Sequence, residues 1–292
     1  MELRVLQYFL AVAREQNISG AAEYLHLSQP TLSRQLKDLE EELGKQLFIR
    51  GNRKITLTEE GITLRKRAEE IMNLVKMIED EITYSDETIT GNVYIGAGET
   101  EAIRILAKAA QQLQQKYPHI RIHVSSGDKE DVSERLNKGL IDFGILFDPI
   151  DLSEFNHLRI PIKDEWGILM RRDSPLAKKD LVSPEDLWDK PLILSRQVFK
   201  STGGFFDWLD KNADELNIVA TYNLLYNGSL MVDEGMGYAL CLNRIINVTG
   251  DSNLCFKALT PKLEVGLHIV WKKYQLLSKP SEKFLMTLQS LL

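Results

Sequence analysis

One amphipathic segment dictates the architecture of the N-terminal part of the chain: SQPTLSRQLKDLEEELG, residues 28–44. Its leucines recur at helical spacing and form a single apolar stripe, made of Leu32, Leu36, Leu39 and Leu43. Ser28 is a typical N-cap, and Gly44 suits the left-handed residue that ends a helix. The segment therefore predicts a helix whose apolar stripe packs inward, against a second helix that braces it.

The opposite face of this helix carries short hydroxyl and long cationic side chains. Such side chains reach base edges and phosphates in the major groove of DNA. At about 100° per residue, the residues that cluster on this face are Pro30, Ser33, Arg34 and Lys37. We therefore expect the segment to read double-stranded DNA. Its candidate contact residues are Ser28, Gln29, Pro30, Thr31, Ser33, Arg34 and Lys37.

Neighbouring segments complete a small module around this helix. The Ala-rich residues 19–25, with Ser19 as a cap, predict a short bracing helix, and residues 3–15 predict an earlier one. After Gly44, two β-leaning runs around a Gly51-Asn52 turn predict a hairpin wing. Its cations are candidates for gripping the DNA backbone or the minor groove: Arg50, Arg53 and Lys54. The alternative interpretation is a helical bundle with a solvated charged face.

The N-terminal residues resemble the winged helix-turn-helix signature of LysR-type bacterial transcription regulators. The resemblance covers the first sixty or so residues and rests on Phe9, Ala13, Ser19, Ala21, Ala22, Leu25, residues 28–33, Leu36, Leu39, Glu40, Leu43, Gly44, Leu47, Phe48, Arg50, Leu57, Thr58 and Gly61. It implies a sequence-specific regulator of transcription that a small-molecule effector controls. It also implies homodimers that pair into tetramers on promoter DNA and affect access for RNA polymerase.

The charge of the whole chain does not favour nucleic acid, because 292 residues carry a net charge of -6. Residues 45–58, by contrast, hold four cations and no acid. We therefore expect DNA binding through a few placed contacts, with a strong dependence on salt. Apolar runs stay well short of the roughly 20 residues of a membrane span, and the N-terminus is unlike a secretory leader. We expect a cytoplasmic protein with no membrane partner.

A long helix is predicted after the wing. Thr58 is a candidate cap, and residues 59–87 contain no proline. Apolar residues follow heptad steps over three repeats, which is typical of a dimerisation seam. The candidate seam residues are Leu64, Ala68, Ile71, Val75, Ile78 and Ile82. The alternative is burial of this stripe against the chain's own domain.

The remainder of the chain, residues 88–292, alternates strands and helices, which predicts an α/β effector domain. We expect lobe I at about 91–161 and 266–292, and lobe II at about 162–265, as in periplasmic binding proteins. The whole is then an α+β multidomain fold, with the DNA-binding domain at residues 1–58. Ligands bind beyond the carboxyl ends of such strands, and amides near Thr100 could hold a small anion. The candidate effector residues are Gly98, Thr100, Ser125, Ser126, Phe147, Thr202 and Gly228.

Other motifs carry weaker chemistry. His119 and His123 lack acid or cysteine partners at metal-ligand spacing, so we expect no metal. Cys241 and Cys255 could form a redox switch, as in peroxide-sensing relatives, but buried structural thiols are favoured. Gly96-Ala97-Gly98 lacks the third glycine of a dinucleotide turn, so we expect no cofactor there. Ser195 and Ser201 lack a nearby His–acid arrangement, so we expect no catalysis. The alternatives are an enzyme or solute-binding protein with an incidental DNA-binding head, and an architectural DNA binder with an empty cleft.

Overall fold

The computed structural model describes residues 1–51, 54–83, 89–200 and 204–292, with only the backbone at residues 50, 80–83 and 200. The chain divides into two compact units, Met1–Thr83 and Tyr84–Leu292. Each has its own buried apolar core.

The first unit begins with three helices, α1 at Leu3–Glu15, α2 at Ile18–Tyr24 and α3 at Gln29–Leu43. Ser28 caps α3 as predicted, because its Oγ accepts the Thr31 N–H at 3.3 Å. Gly44 ends the helix with a φ of 62°. The predicted cap of α2 was wrong. Asn17 caps it instead, since its Oδ1 accepts the N–H of Ser19 at 2.8 Å.

Most of the leucine stripe of α3 packs inward against α1 and α2. Leu32, Leu36 and Leu39 are buried beside Phe9 and Ala21. The prediction was wrong for one member of the stripe, Leu43, which is 40% exposed. Leu43 is the last residue of α3 and lies outside the core of this unit.

A two-stranded wing and a long helix complete the first unit. Strand β1 (Phe48–Arg50) pairs antiparallel with β2 (Ile55–Leu57), which confirms the predicted hairpin in its strands. Its turn includes residues 52 and 53, which lie outside the described part of the chain. Helix α4 spans Glu59–Thr83. Thr58 caps α4 as predicted, since its Oγ1 accepts the Gly61 N–H at 3.0 Å.

The second unit alternates strands and helices as the sequence predicts. Its first half contains β3 (Gly91–Ala97), α5 (Ile103–Lys116), β4 (Ile120–Ser126), α6 (Lys129–Asn137), β5 (Phe143–Phe147) and β6 (Phe155–Arg171). Its second half contains β7 (Leu181–Val182), β8 (Leu192–Ser195), α7 (Phe205–Leu209), β9 (Ile218–Tyr222), α8 (Leu225–Asp233), β10 (Tyr238–Leu242), β11 (Leu254–Leu259), β12 (Glu264–Lys272) and α9 (Lys279–Leu291).

The strands follow the order β4-β3-β5-β12-β6-β10-β8-β9, with β11 pairing with β6 and β7. Strand β6 belongs to both lobes. Its residues 155–165 pair with β12, and residues 167–171 pair with β11. The passage between the lobes runs through a continuous strand.

Each lobe has its own core. In lobe I the buried side chains include Phe143, Ile145 and Leu267, with Phe284 of α9 packed onto them. In lobe II they include Leu192 and Leu240. Among the described helices, none combines the length and apolar character that a membrane crossing requires.

Candidate functional site

The polar face of α3 is open to solvent. The side chains of Arg34 and Lys37 are 83% and 70% exposed, and Ser33 is half-buried beside them. Arg34 Nε lies 4.0 Å from Asp38 Oδ2, and Lys37 Nζ lies 3.2 Å from Glu41 Oε1. Ion pairs this exposed contribute little, so both cations can exchange them for phosphates or bases at small cost.

The first turn of α3 is more constrained. Ser28, Gln29, Pro30 and Thr31 are exposed, but the Ser28 and Thr31 hydroxyl oxygens lie 2.7 Å apart in a hydrogen bond. The Ser28 oxygen also accepts the Thr31 N–H. These two hydroxyls therefore fix the start of the helix as well as facing outward.

The wing lies beside α3 through a contact that the sequence did not reveal. Glu40 Oε1 accepts the N–H groups of Leu47 at 2.7 Å and Phe48 at 3.2 Å. In the sequence, the only signal for this role of Glu40 is that an acid directly follows the core residue Leu39 on α3. Among the wing candidates, Lys54 is exposed. Arg53 and the Arg50 side chain lie outside the described part of the chain.

Helix α4 divides its apolar stripe between the chain's own core and solvent. Ala68 is completely buried within one chain, and Leu64 packs against the core of the first unit. Ala68 therefore has no surface left for a partner, which corrects its place in the predicted seam. Further along, Ile71 and Val75 are half-buried and Ile78 is 53% exposed. The Ile82 side chain lies outside the described part of the chain.

The cleft between the two lobes contains a cavity of about 160 Å³. Two of the predicted effector residues, Gly98 and Phe147, line this cavity. Thr100 and Ser126 line a neighbouring, more open groove of about 340 Å³, which also touches Gly98. The predicted effector residues are therefore divided between the inter-lobe cavity and this groove.

Two other predicted effector residues line neither of these spaces. The Ser125 hydroxyl donates to the Ile95 carbonyl at 3.2 Å. Gly228 lies under the Tyr222 ring, where an added Cβ would come within 3.0 Å of a ring carbon. Neither position faces these two spaces, so the effector role of both stays a prediction. Thr202 lies outside the described residues.

The Thr100 hydroxyl is engaged within the protein. It donates to Asp164 Oδ2 on β6, and its oxygen accepts the Ala102 N–H at 3.1 Å. Asp164 is 6% exposed. Burial raises the pKa of Asp164, the Thr100 hydrogen bond opposes this, and the charge of Glu101 adds to it. An anion at Thr100 would have to displace this contact, which weakens the predicted anion cradle.

Two polar contacts bridge the lobes beside the cavity, and the sequence indicated neither. Glu99 accepts the N–H of Leu225 at the start of α8. Arg196 bonds Asp128 Oδ2 at 2.6 Å and Asp131 Oδ2 at 3.2 Å. Burial alone would raise the pKa of Asp128, but the Asp131 N–H and Arg196 outweigh it and lower that pKa. Charged side chains therefore connect the two lobes directly beside the cavity.

The two cysteines are free thiols. Burial raises the pKa of Cys241 to about 12 and also raises that of Cys255. They lie on β10 and β11, which flank β6 on its two sides. Two strand spacings are about 9–10 Å, and a disulfide needs Cα atoms within about 7 Å. Across the described chain, no group of three potential ligands could hold a metal ion.

A winged helix-turn-helix unit followed by a two-lobed α/β unit with a cleft defines a ligand-responsive transcriptional regulator. Two family models match: "Bacterial regulatory helix-turn-helix protein, lysR family" over residues 3–62, and "LysR substrate binding domain" over residues 86–292. The chain belongs to the LysR family of bacterial transcriptional regulators, with the DNA-binding and effector-binding domains of that family.

Individual relatives and a solved structure agree with this family assignment. The chain is 35% identical over 206 residues to the HTH-type transcriptional regulator BsdA of Bacillus subtilis, covering 68% of each chain. It is 27% identical over 280 residues to the HTH-type regulator YfeR of Shigella flexneri, covering 96% of this chain and 91% of the relative. The crystal structure of full-length CbnR with its target DNA has the same fold. It superposes with a TM-score of 0.76 at 20% identity, over 100% of both chains.

Proposed function

We propose that two copies of this regulator read an inverted-repeat promoter site with α3, and that a metabolite between the lobes controls the outcome. In this proposal residues 1–58 read DNA, residues 59–87 link and dimerise, and residues 88–292 bind the effector. One observation carries the DNA-reading part. The cationic side chains of α3 project into solvent while Leu32 and Leu36 on the other face are fully buried.

The proposed contacts follow from side-chain type. Arg can bond the O6 and N7 atoms of a guanine with two hydrogen bonds, whereas Lys acts as a point charge on phosphates. We assign base contacts to Gln29, Pro30, Ser33 and Arg34, and phosphate contacts to Ser28, Thr31 and Lys37. We assign backbone or minor-groove contacts to Arg50, Arg53 and Lys54.

The proposed dimer uses the part of α4 that its own unit leaves accessible. Ile71, Val75 and Ile78 form this part, and Leu64 continues the stripe toward the core. Pairing two reading heads at a set separation turns two weak half-site contacts into one specific site. We further propose that two dimers associate and that their arrangement governs access for RNA polymerase.

The proposed effector acts by preferring one arrangement of the lobes. A ligand shifts such an equilibrium only by its difference in affinity for the two states. The cavity lined by Gly98 and Phe147 supports this role, because a ligand there contacts both lobes. We also propose that the protein acts in the cytoplasm and catalyses no reaction.

The test of the DNA-reading face is the substitution Arg34→Ala. An operator is first selected from random duplexes with the full-length protein. We expect Arg34→Ala to cost on the order of 1–3 kcal/mol on that operator and to relax the choice of one base pair. Fluorescence anisotropy at fixed salt measures both effects.

Arg121→Ala is the matched control, because Arg121 is an exposed arginine on β4 of the effector domain. It should leave operator affinity unchanged. Equal affinities and equal base preferences for Arg34→Ala and the wild type would remove Arg34 from the reading face.

A further inference from the structure

The inter-lobe cavity has aromatic walls. Its lining includes four aromatic rings, those of Phe147, Trp166, Phe205 and Tyr222. Its volume of about 160 Å³ is close to that of an apolar cavity of about 150 Å³ that takes up benzene. The space therefore suits an apolar body of about one six-membered ring.

The carboxylates among the described lining residues give this cavity a negative charge. They are Glu99, Asp148 and Glu264, and no Lys, Arg or His is found among the described lining residues. Glu264 is neutralised from outside the cavity by Lys262 at 2.6 Å and by Lys163 at 3.3 Å. The negative charge at the cavity therefore rests on Glu99 and Asp148.

Two arginines that are adjacent in sequence to lining residues face elsewhere. Arg196 follows the lining residue Ser195 but bonds to Asp128 and Asp131 on lobe I. Arg244 precedes the lining residue Ile245 and lines the neighbouring open groove. Neither arginine is placed to balance an anion inside the cavity.

Both acids have an oxygen to offer a ligand. Glu99 uses Oε2 on the Leu225 N–H, and its Oε1 has no hydrogen bond to any described residue. Asp148 uses Oδ1, which lies 3.2 Å from His268 Nε2. Its Oδ2 lies over Gly266, where an added Cβ would approach within 2.3 Å. A glycine on β12 thus makes room for this carboxylate.

A buried hydroxyl adds a third polar group. Ser195 is 8% exposed and lines the cavity. Its oxygen accepts only a long bond of 3.4 Å from the Gln197 N–H. An ammonium donates up to three hydrogen bonds, and two carboxylates with one hydroxyl can accept them.

We propose that the effector of this regulator is a small organic cation, an ammonium group on an apolar body of about one ring. This inference rests on the proposed function, since it names the chemical class of the molecule that the lobes hold. Aromatic faces attract a cation, and carboxylates give charge-assisted hydrogen bonds to it. An anion of the same size would lie beside two carboxylates, with no Lys, Arg or His among the described lining residues to balance its charge.

The test uses three probes with the same ring and different charge: benzylammonium, benzyl alcohol and benzoate. Each is titrated into the full-length protein without DNA, and binding is measured by calorimetry. We expect benzylammonium to bind at least about tenfold more tightly than benzoate, with the neutral alcohol between them.

Variants locate the site. Asp148→Asn and Glu99→Gln should each weaken benzylammonium about tenfold. Asp180→Asn should not, because Asp180 is an exposed acid outside the cavity lining. Thermal melts confirm that each variant is folded, and Glu99→Gln keeps an acceptor for the Leu225 N–H.

Several results would overturn the inference: benzoate binding as tightly as benzylammonium, no binding of any probe at millimolar concentration, or equal effects of Asp148→Asn and Asp180→Asn. None of these touches DNA reading, since the titration contains no operator. Failure of the proposed function would appear in a different experiment, if the wild-type protein selected no operator from the random duplexes.

Discussion

Asp164 lies where β6 passes between the lobes, and its carboxyl group is almost fully buried. Burial raises its pKa above the ordinary 3.8, so the folded protein binds the proton more tightly than the unfolded chain. The stability that this group contributes is complete below about pH 3.8 and is lost as pH rises through the raised value. At neutral pH the buried charge is therefore a cost.

Asp164→Asn should remove that cost while keeping an oxygen that accepts the Thr100 hydroxyl. We expect a higher melting temperature than the wild type at pH 7, and a difference that shrinks as the pH falls toward 4. Melts across this range measure it, with the exposed Asp180→Asn as control. A variant less stable than the wild type at pH 7 would mean that the charged form is required.

Three of the four predicted helix caps were right, because local rules decide a cap, and the fourth, Ser19, was wrong. Ser28, Gly44 and Thr58 act in caps that depend only on their immediate neighbours in sequence. Glu99 and Arg196 were missed for the opposite reason. Their partners are 126 and up to 68 positions away, in the other lobe. No periodicity or spacing in a sequence records such a pairing.

At the scale of elements, the join between the wing and α4 depends on one glycine. Gly61 lies so close to the wing that an added Cβ would come within 2.2 Å of the Leu47 carbonyl oxygen. Backbone cannot yield as a side chain can, so Gly61→Ala should destabilise the first unit by about 1–3 kcal/mol, the usual cost of overpacking.

Gly20→Ala is the matched substitution, because Gly20 lies in α2 and nothing approaches its Cβ position within 4 Å. It should be neutral or stabilise by about 0.5–1 kcal/mol, as alanine favours a helix. Thermal unfolding of both full-length variants gives the comparison. Equal melting temperatures for the two variants would contradict the tight join.

The types of the elements followed from the sequence, but some extents did not. The amphipathic pattern fixed α3, and the alternation of strands and helices predicted the second unit. Strand β6 runs over Phe155–Arg171, and the predicted alternation of strands and helices did not reveal this length. Its first half is mostly exposed, with only Phe155, Ile160 and Asp164 buried, and it contains Pro161. Its strand character therefore depends on pairing with β12. The residues of β12 that supply this pairing are about a hundred positions away in sequence.

At the scale of the whole molecule, the accessible stretch of α4 should control assembly. We expect the double substitution Ile71→Asp and Ile78→Asp to halve the sedimenting mass of a dimer, because charge on an apolar seam opposes pairing. Asn73→Asp adds charge at an exposed position of the same helix and should leave the mass unchanged. A dimer that survives the double substitution would exclude this seam.

Ala68 shows why the seam could be predicted only in part. A heptad pattern states which residues share a face of a helix and leaves open what covers that face. In α4 the same stripe packs on the chain's own core at Ala68 and reaches solvent at Ile78. The alternatives of self-burial and pairing with a partner therefore both apply, to successive turns.

Strand β6 has a mechanical consequence. Because residues 155–165 of β6 pair with β12 and residues 167–171 pair with β11, one strand is hydrogen-bonded into both lobes. Strands do tolerate changes of twist. We therefore expect a bound molecule to rotate one lobe against the other about β6, by changing the twist of this strand, rather than to widen the cleft.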